Sequence, residues 1–310
     1  MTSQTFMEVR VRGVPLNVPC AHIHNRTVVL TGRWLKTSAI FDEELVEGEV
    51  VDQPEDFISQ IKRDLPGVDI FTFAQKLPDL RPRYNYPMKW DNAAVIPITD
   101  FKNWWEKRLP QESRKNVRRA TKLGVVLRVE EFNDQLIKGI QGIYNETPVR
   151  QGRAFWHFGK DFETVKEENE TYLTRSEFIG AYSGEELIGF IKLIYVDRVA
   201  TLIQILCKNA HQDKRPMNAL LAHTVELCVR KGIVFLVYGK YVYGRNRNST
   251  LTDFKRRNGF EEMKYPRYYV PVSVKGRLAV KLSLHLGVRE FIPAPIINAL
   301  LNVRSRIYRT

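Results

Sequence analysis

Residues 178–239 read FIGAYSGEELIGFIKLIYVDRVATLIQILCKNAHQDKRPMNALLAHTVELCVRKGIVFLVYG, and this stretch decides the fold. Its first half is apolar and β-like, broken at Ser183-Gly184-Glu185-Glu186 and again at Asp197-Arg198, which predicts hairpin strands. Helical spacing follows in MNALLAHTVELCVRKG (217–232), and then a further strand in IVFLVYG (233–239). Strand, helix, strand after an antiparallel hairpin implies a mixed sheet with helices on its faces. The connecting loop, HQDKRPMN (211–218), lies between a strand and a helix start, where phosphate is commonly gripped, yet it contains no glycine.

Working outward, DFKNWWEKRLPQESRKNVRRATKLG (100–124) predicts two helices. In the second, Ser113 is placed as the N-cap and Val117, Ala120 and Leu123 form a buried stripe. Arg114, Lys115, Arg118, Arg119 and Lys122 fall outside that stripe, so the helix carries a basic face that Gly124 ends. Earlier still, VRVRGVPLNV, RTVVLTGRWL, DIFTFAQKL and NAAVIPI alternate with turn residues and with one helix, PEDFISQIKRDL, and predict a small α/β lobe. Downstream, TLTDFKRRNGF (250–260) predicts a helix and YYVPVSV (268–274) a strand, while PIINALLNVRSRIYR (295–309) is amphipathic and basic.

The formal charge is +13, spread in Lys/Arg clusters over 310 residues, which favours an anionic partner: a nucleic acid, a phosphorylated carrier or an acidic membrane. Three cysteines, Cys20, Cys207 and Cys228, show no CxxC spacing, so neither a disulfide framework nor a zinc site is predicted, and no metal ligands are assigned. The first residues carry Glu8, Arg10 and Arg12 where a signal peptide is apolar. A cytoplasmic protein is expected, with the C-terminal helix offering a peripheral membrane contact.

The order of elements over residues 113–272 resembles the GNAT acyltransferase fold: the Gly-Ala-Tyr strand, the LIGF strand, and the terminal Phe254-Lys255 and Asn258-Gly259-Phe260. The resemblance implies a GNAT-like mixed α/β sheet flanked by helices over 111–275, with a smaller N-terminal α/β lobe over 1–110 and an amphipathic tail over 276–310. Acetyl-CoA-dependent members carry Gln/Arg-x-x-Gly-x-Gly/Ala in the donor loop; matching by Ala219-Leu220-Leu221 puts Gln212 on the first position but Arg215 and Met217 on the glycines. At this point the chain is more similar to the Fem-type aminoacyl transferases, which also lack those glycines and carry Lys-Gly at the helix end and Phe-Lys before Gly-Phe. Here VRKGIVFLVYG, DFKRRNGF and SRKNVRRATKLGV echo those features.

The resemblance implies an N-acyltransferase passing an acyl or aminoacyl group to an amine on a polar, cell-envelope or glycan-type acceptor. No cofactor is held tightly; the co-substrate is acyl-CoA or aminoacyl-tRNA, and tRNA is accordingly a candidate partner beside an anionic small-molecule or glycan acceptor. Lys255 matches the Fem-type lysine near the donor ester. Gln212, Lys214, Arg215 and Asn218 become donor-binding candidates, Lys214 and Arg215 because side-chain charge can replace main-chain phosphate contacts. In ETPVRQGRAFWHFGKD (146–161), Arg150, Arg153, Trp156 and Lys160 interleave cations with aromatics and are candidates for the acceptor; His157 is the candidate base. Among Tyr238, Tyr241 and Tyr243, Tyr241 is chosen as the general acid. The competing expectation is a non-catalytic basic module that binds RNA or membrane on a degenerate GNAT scaffold.

Overall fold

The computed structural model describes residues 5–286 apart from 12, 13, 245, 246 and 248, so the amphipathic segment 295–309 lies outside the described residues. Two compact units are present, one built from residues up to Asp91 together with those from Lys264, the other from Asn92–Met263. The first contains β1 (Thr5–Val11), β2 (Val14–Ile23), β3 (Arg26–Thr31), β4 (Thr37–Ile40), α1 (Pro54–Asp64) and β5 (Ile70–Ala74). Strand β6 (Met88–Pro97) carries the chain into the second unit.

There follow α2 (Phe101–Asn103, continued by a π turn over Trp104–Arg108), α3 (Gln111–Lys122), β7 (Val125–Glu130) and α4 (Asp134–Tyr144). A two-residue pair, β8 (Val149–Arg150) and β9 (Arg153–Ala154), precedes α5 (Phe162–Asn169). Next come β10 (Ser176–Ser183), β11 (Glu186–Val196), β12 (Val199–Cys207), α6 (Pro216–Arg230), β13 (Phe235–Val237) and α7 (Thr250–Arg257). Strand β14 (Glu261–Pro271) and α8 (Val274–Lys281) return to the first unit.

Within the second unit the strand order is β6-β13-β12-β11-β10-β7, mixed because only β12 and β13 run parallel. One apolar cluster joins the sheet to α3 and α6 through Ala120, Ile191, Leu193, Leu202, Leu220 and Val225; a second joins it to α4 and α5 through Ile137, Ile140, Val165 and Phe190. Helix starts follow the local chemistry, with Asn133 accepting from the Leu136 N–H, Asp161 from Thr164 and Ser249 from Thr252. In the first unit, β1-β2-β3-β4-β5-β14 cover α1, and Phe57, Phe71 and Phe73 stack at centroid distances of 5.3 and 5.4 Å. Each such buried ring contributes about 1.5–3 kcal/mol.

Three expectations change. The chain divides at 91/92 and 263/264 rather than at 110/111 and 275/276, because residues 267–271 of β14 pair with β5, so the strand assigned to the transferase domain closes the first unit. The VRVRGVPLNV run is two antiparallel strands, with Val11 opposite Val14. Helix α3 begins at Gln111 after Pro110, and the buried Ser113 hydroxyl donates instead to the Arg257 carbonyl; Ala120 is buried but Leu123 is 43% exposed.

Arg267 binds the first unit from within, at 2.7 Å from Glu43 and 2.9 Å from Asp91, and the two carboxylates hold its charge more firmly than usual. Arg267→Met takes the guanidinium from two largely buried carboxylates and is expected to lower stability by about 3–5 kcal/mol in chemical denaturation; a loss below about 1 kcal/mol contradicts this assignment.

Candidate functional site

Strand β13 leaves β12 almost at once. Val199, Ala200 and Thr201 pair with Phe235, Leu236 and Val237, after which β12 continues to Cys207 paired with β11. The chain leaving β13 stays with β6: the Tyr238 N–H donates to the Ala94 carbonyl at 2.9 Å and the Ala94 N–H to the Gly239 carbonyl at 2.8 Å. A register shift at Lys192/Leu193 leaves Ile203 as an extra residue in β12, a bulge that turns the strand's end. The two strands splay, and a cleft of about 1130 Å³ opens between the end of β12 and the starts of α3 and α6, with α7 along its side.

Each element brings particular groups to this cleft. Gln212 and Arg215 come from the loop before α6 and Asn218 from its first turn, Asn116 and Glu112 from α3, and Arg257 and Asn258 from the end of α7. Asn218 does not cap α6; its Nδ2 donates to Asn258 Oδ1 at 2.9 Å, tying α6 to α7. Arg215 has φ +56°, the left-handed conformation natural to glycine, at the very position where the donor pattern has one. Pro216 then opens α6 and supplies no N–H. The preceding amides of Asn209 and Ala210 donate to the Glu146 carboxylate at 2.7 and 2.9 Å. Main-chain donors in this loop are thus reduced or already engaged, while the Arg215 side chain is exposed at the cleft. Lys214 turns elsewhere, its ammonium 2.5 Å from Ser183 Oγ.

Lys255 is fully buried in α7, away from its exposed neighbours Arg256 and Arg257. Its ammonium donates to the Lys240 carbonyl at 2.6 Å and lies 4.5 Å from the Tyr238 ring centroid and 5.1 Å from that of Tyr243. Burial pulls its pKa down to about 8. A second buried lysine, Lys192 in β11, sets the comparison. It is also pulled to about 8, but its Nζ lies 2.7–2.9 Å from three oxygens of Asn169 and Thr171, an arrangement that serves the fold. Lys192 has three oxygens and the Phe178 ring at 5.5 Å, whereas Lys255 has one carbonyl and two tyrosine rings. One of those faces, Tyr238, is part of the cleft wall, and burial pushes its phenol up to about 12. Tyr241 does not line the cleft; it packs on the α3/α6 core, and its carbonyl accepts from Thr252 Oγ1 at 3.2 Å.

The aromatic loop after α4 is built differently from a ligand pocket. Arg150 reaches the cleft, but its guanidinium donates to the carbonyls of Cys207 and Ile143 at 3.0 and 2.9 Å and pairs with Glu146 at 3.2 Å, so it holds the loop against β12. Lys160 is 2.6 Å from Glu168, with its ammonium 3.7 Å from the centroid of the exposed Trp156. His157 is buried between Trp156 and Tyr144, at centroid distances of 3.5 and 4.0 Å. Burial, then the Lys160 and Arg150 cations, push its pKa down to about 3, which leaves a neutral, weakly basic imidazole. Arg153, Trp156, His157 and Lys160 do not line the cleft. Glu112, Asn116 and Asn258 do; the sequence marks Asn258 only as part of Asn-Gly-Phe, and Glu112 and Asn116 read there as ordinary polar residues on a helix.

Most of the chain is similar in fold to solved structures. They include the C-terminal domain (DUF2156) of a putative lysylphosphatidylglycerol synthetase from Agrobacterium fabrum (TM-score 0.54, 14% identity, 86% of this chain and 88% of that one), L-PGS from Bacillus licheniformis (0.53, 14%, 83% and 85%) and FemX (0.56, 10%, 90% and 90%). No family model and no curated protein matches the sequence. The fold is of the GNAT type and related to that of the Fem-type proteins, as the order of elements implied.

His157 supplies a pH test of this geometry. Its folded pKa is below the unfolded 6.5, so the stability it brings is fully present above pH 6.5 and is lost as pH falls through that value toward about 3. Denaturation between pH 7 and 4 is expected to show this loss, at most about 1.4 kcal/mol per pH unit from this group, and His157→Gln is expected to flatten it. An unchanged slope in the variant places the acid sensitivity elsewhere.

Proposed function

We propose that the chain is an N-acyltransferase whose cleft between β12 and β13 receives the acyl donor, the acyl group passing to an amine on a polar, anionic acceptor of cell-envelope or glycan type. The observation that carries this reading is the splay itself: β12 ends in an open cleft faced by a helix start, by Arg215 and Arg257, and by a tyrosine backed by a buried ammonium. Lysylphosphatidylglycerol synthetase and FemX, named for the structures of similar fold, are consistent with a donor of the aminoacyl class. The donor loop points the same way. With Pro216 at the helix start and Glu146 on the Asn209 and Ala210 amides, a pyrophosphate finds few main-chain donors, whereas Arg215 and Arg257 suit the phosphates at the end of an aminoacylated RNA.

In this mechanism the acceptor amine attacks the donor carbonyl carbon, forming the C–N bond while the C–O bond to the RNA hydroxyl breaks. Glu112, an exposed carboxylate of the cleft wall, takes the proton that the amine loses. Tyr238, protonated at neutral pH, gives its proton to the leaving oxygen. Lys255 acts through Tyr238: the ammonium behind the ring stabilises negative charge developing on the phenol. Solvent returns a proton from Glu112 to Tyr238, and no covalent enzyme intermediate forms.

Two variants test the reading. Arg215→Gly suits the local φ, so folding is retained; retention of aminoacyl-RNA is expected to fall about tenfold, and tighter binding contradicts a side-chain grip. Lys255→Met is expected to cost about a hundredfold in turnover with little effect on donor retention. The wild-type rate should fall as pH rises through about 8, where the ammonium is lost, and Lys255→Arg should remove that limb. If Lys255→Met keeps both the rate and the alkaline limb, Lys255 has no part in the reaction.

A further inference from the structure

Among the described residues, nothing covers an apolar stripe on helix α8. Val274, Leu278 and Leu282 recur every four residues and are 72%, 57% and 53% exposed. At 3.6 residues per turn these side chains share one side of the helix. Lys275 borders the stripe on one side, Arg277 and Lys281 on the other, and the first turn carries no acidic residue. Beside them stands Trp34, 63% exposed, in the loop between β3 and β4; the Lys275 ammonium is 5.2 Å from its ring centroid and donates to its carbonyl.

The opposite face of α8 is firmly docked, which fixes the direction of the stripe. Ser273 caps the helix, accepting from the Gly276 N–H at 2.9 Å and donating to Asp69 at 2.7 Å, and the Val272 N–H donates to the Asp69 carbonyl at 2.8 Å. At Gly276 a Cβ would stand 1.8 Å from the Asp69 carbonyl oxygen, so the helix lies directly on the backbone beneath it. Ala279, on the same side, is 1% exposed.

From this arrangement we infer that α8 and Trp34 form an attachment surface for an anionic membrane, with the apolar stripe at the level of the acyl-chain boundary and Lys275, Arg277 and Lys281 among the headgroups. The occupant follows from the pattern: cations on both flanks of an apolar stripe, with an exposed tryptophan alongside, match an interfacial helix lying in the plane of an acidic bilayer. Among the described residues no helix is long and apolar enough to cross a membrane, so the contact is one of surface attachment. The inference does not depend on the reading of the cleft.

The test is sedimentation of the full chain with vesicles of equal parts phosphatidylglycerol and phosphatidylcholine, and with vesicles of phosphatidylcholine alone. Binding is expected to the first and to be much weaker to the second. Leu278→Glu with Leu282→Glu should weaken it more than tenfold with an unchanged melting temperature, both side chains being exposed. Arg277→Gln with Lys281→Gln, which keeps the apolar stripe, should weaken it about fivefold per charge removed. Absence of binding to the anionic vesicles overturns the inference, as does binding that both pairs of substitutions leave intact, which would place the contact elsewhere on the chain. Self-association of the wild type that the leucine substitutions abolish, without vesicle binding, makes the stripe an interface between copies and also overturns it.

Discussion

A pair of main-chain hydrogen bonds sets the rest of the second unit. Once Tyr238 and Gly239 are bonded to Ala94 of β6, the strand that ran beside β12 can no longer follow it, and the backbone of β12 from Leu202 onward pairs with β11 alone. Among the described residues the gap is filled neither by sheet nor by a side-chain core, and the start of α6 comes to face it. Everything assigned to the cleft follows from that parting: the exposure of Arg215, the wall made by Tyr238, and the place of Asn218 against Asn258.

The chemistry proposed for the cleft depends on what lies just behind it. A buried ammonium without a carboxylate is costly, and in Lys192 the cost is offset by three oxygens that the fold supplies. In Lys255 it is offset by one carbonyl and two aromatic faces, a weaker arrangement that leaves positive charge directed at a tyrosine of the cleft wall. Glu146 shows the complementary economy. One carboxylate engages two loop amides and Arg150, stiffening the loop before α6 while removing donors that a pyrophosphate would otherwise meet.

The order of strands and helices was legible in residues 178–239 because turns and apolar periods there are unambiguous, and Arg215 could be matched to a glycine position from the register of Ala219-Leu220-Leu221 alone. Lys255 is singled out in the sequence by its place in Phe-Lys, but its burial is not legible there, since a Lys-Arg-Arg run on a helix looks solvated throughout. His157 reads as a base in the sequence because it is an imidazole amid cations and aromatics, whereas the structure buries it against Tyr144 and outside the cleft lining. The unit boundary was hidden because β14 pairs with β5 across nearly two hundred residues of sequence, a contact that no local pattern announces. Glu112 and Asn116 gave no signal, as single polar residues on a helix acquire meaning only from what faces them.

The most direct test of the central claim is to locate the donor. A short RNA hairpin ending in an amide-linked benzoylphenylalanine at its 3′ terminus, photolysed with the intact protein and mapped by mass spectrometry, is expected to label the peptides containing Met217 and Tyr238. Labelling confined to peptides that line no part of the cleft would contradict the account, as would an RNA that leaves the protein unlabelled.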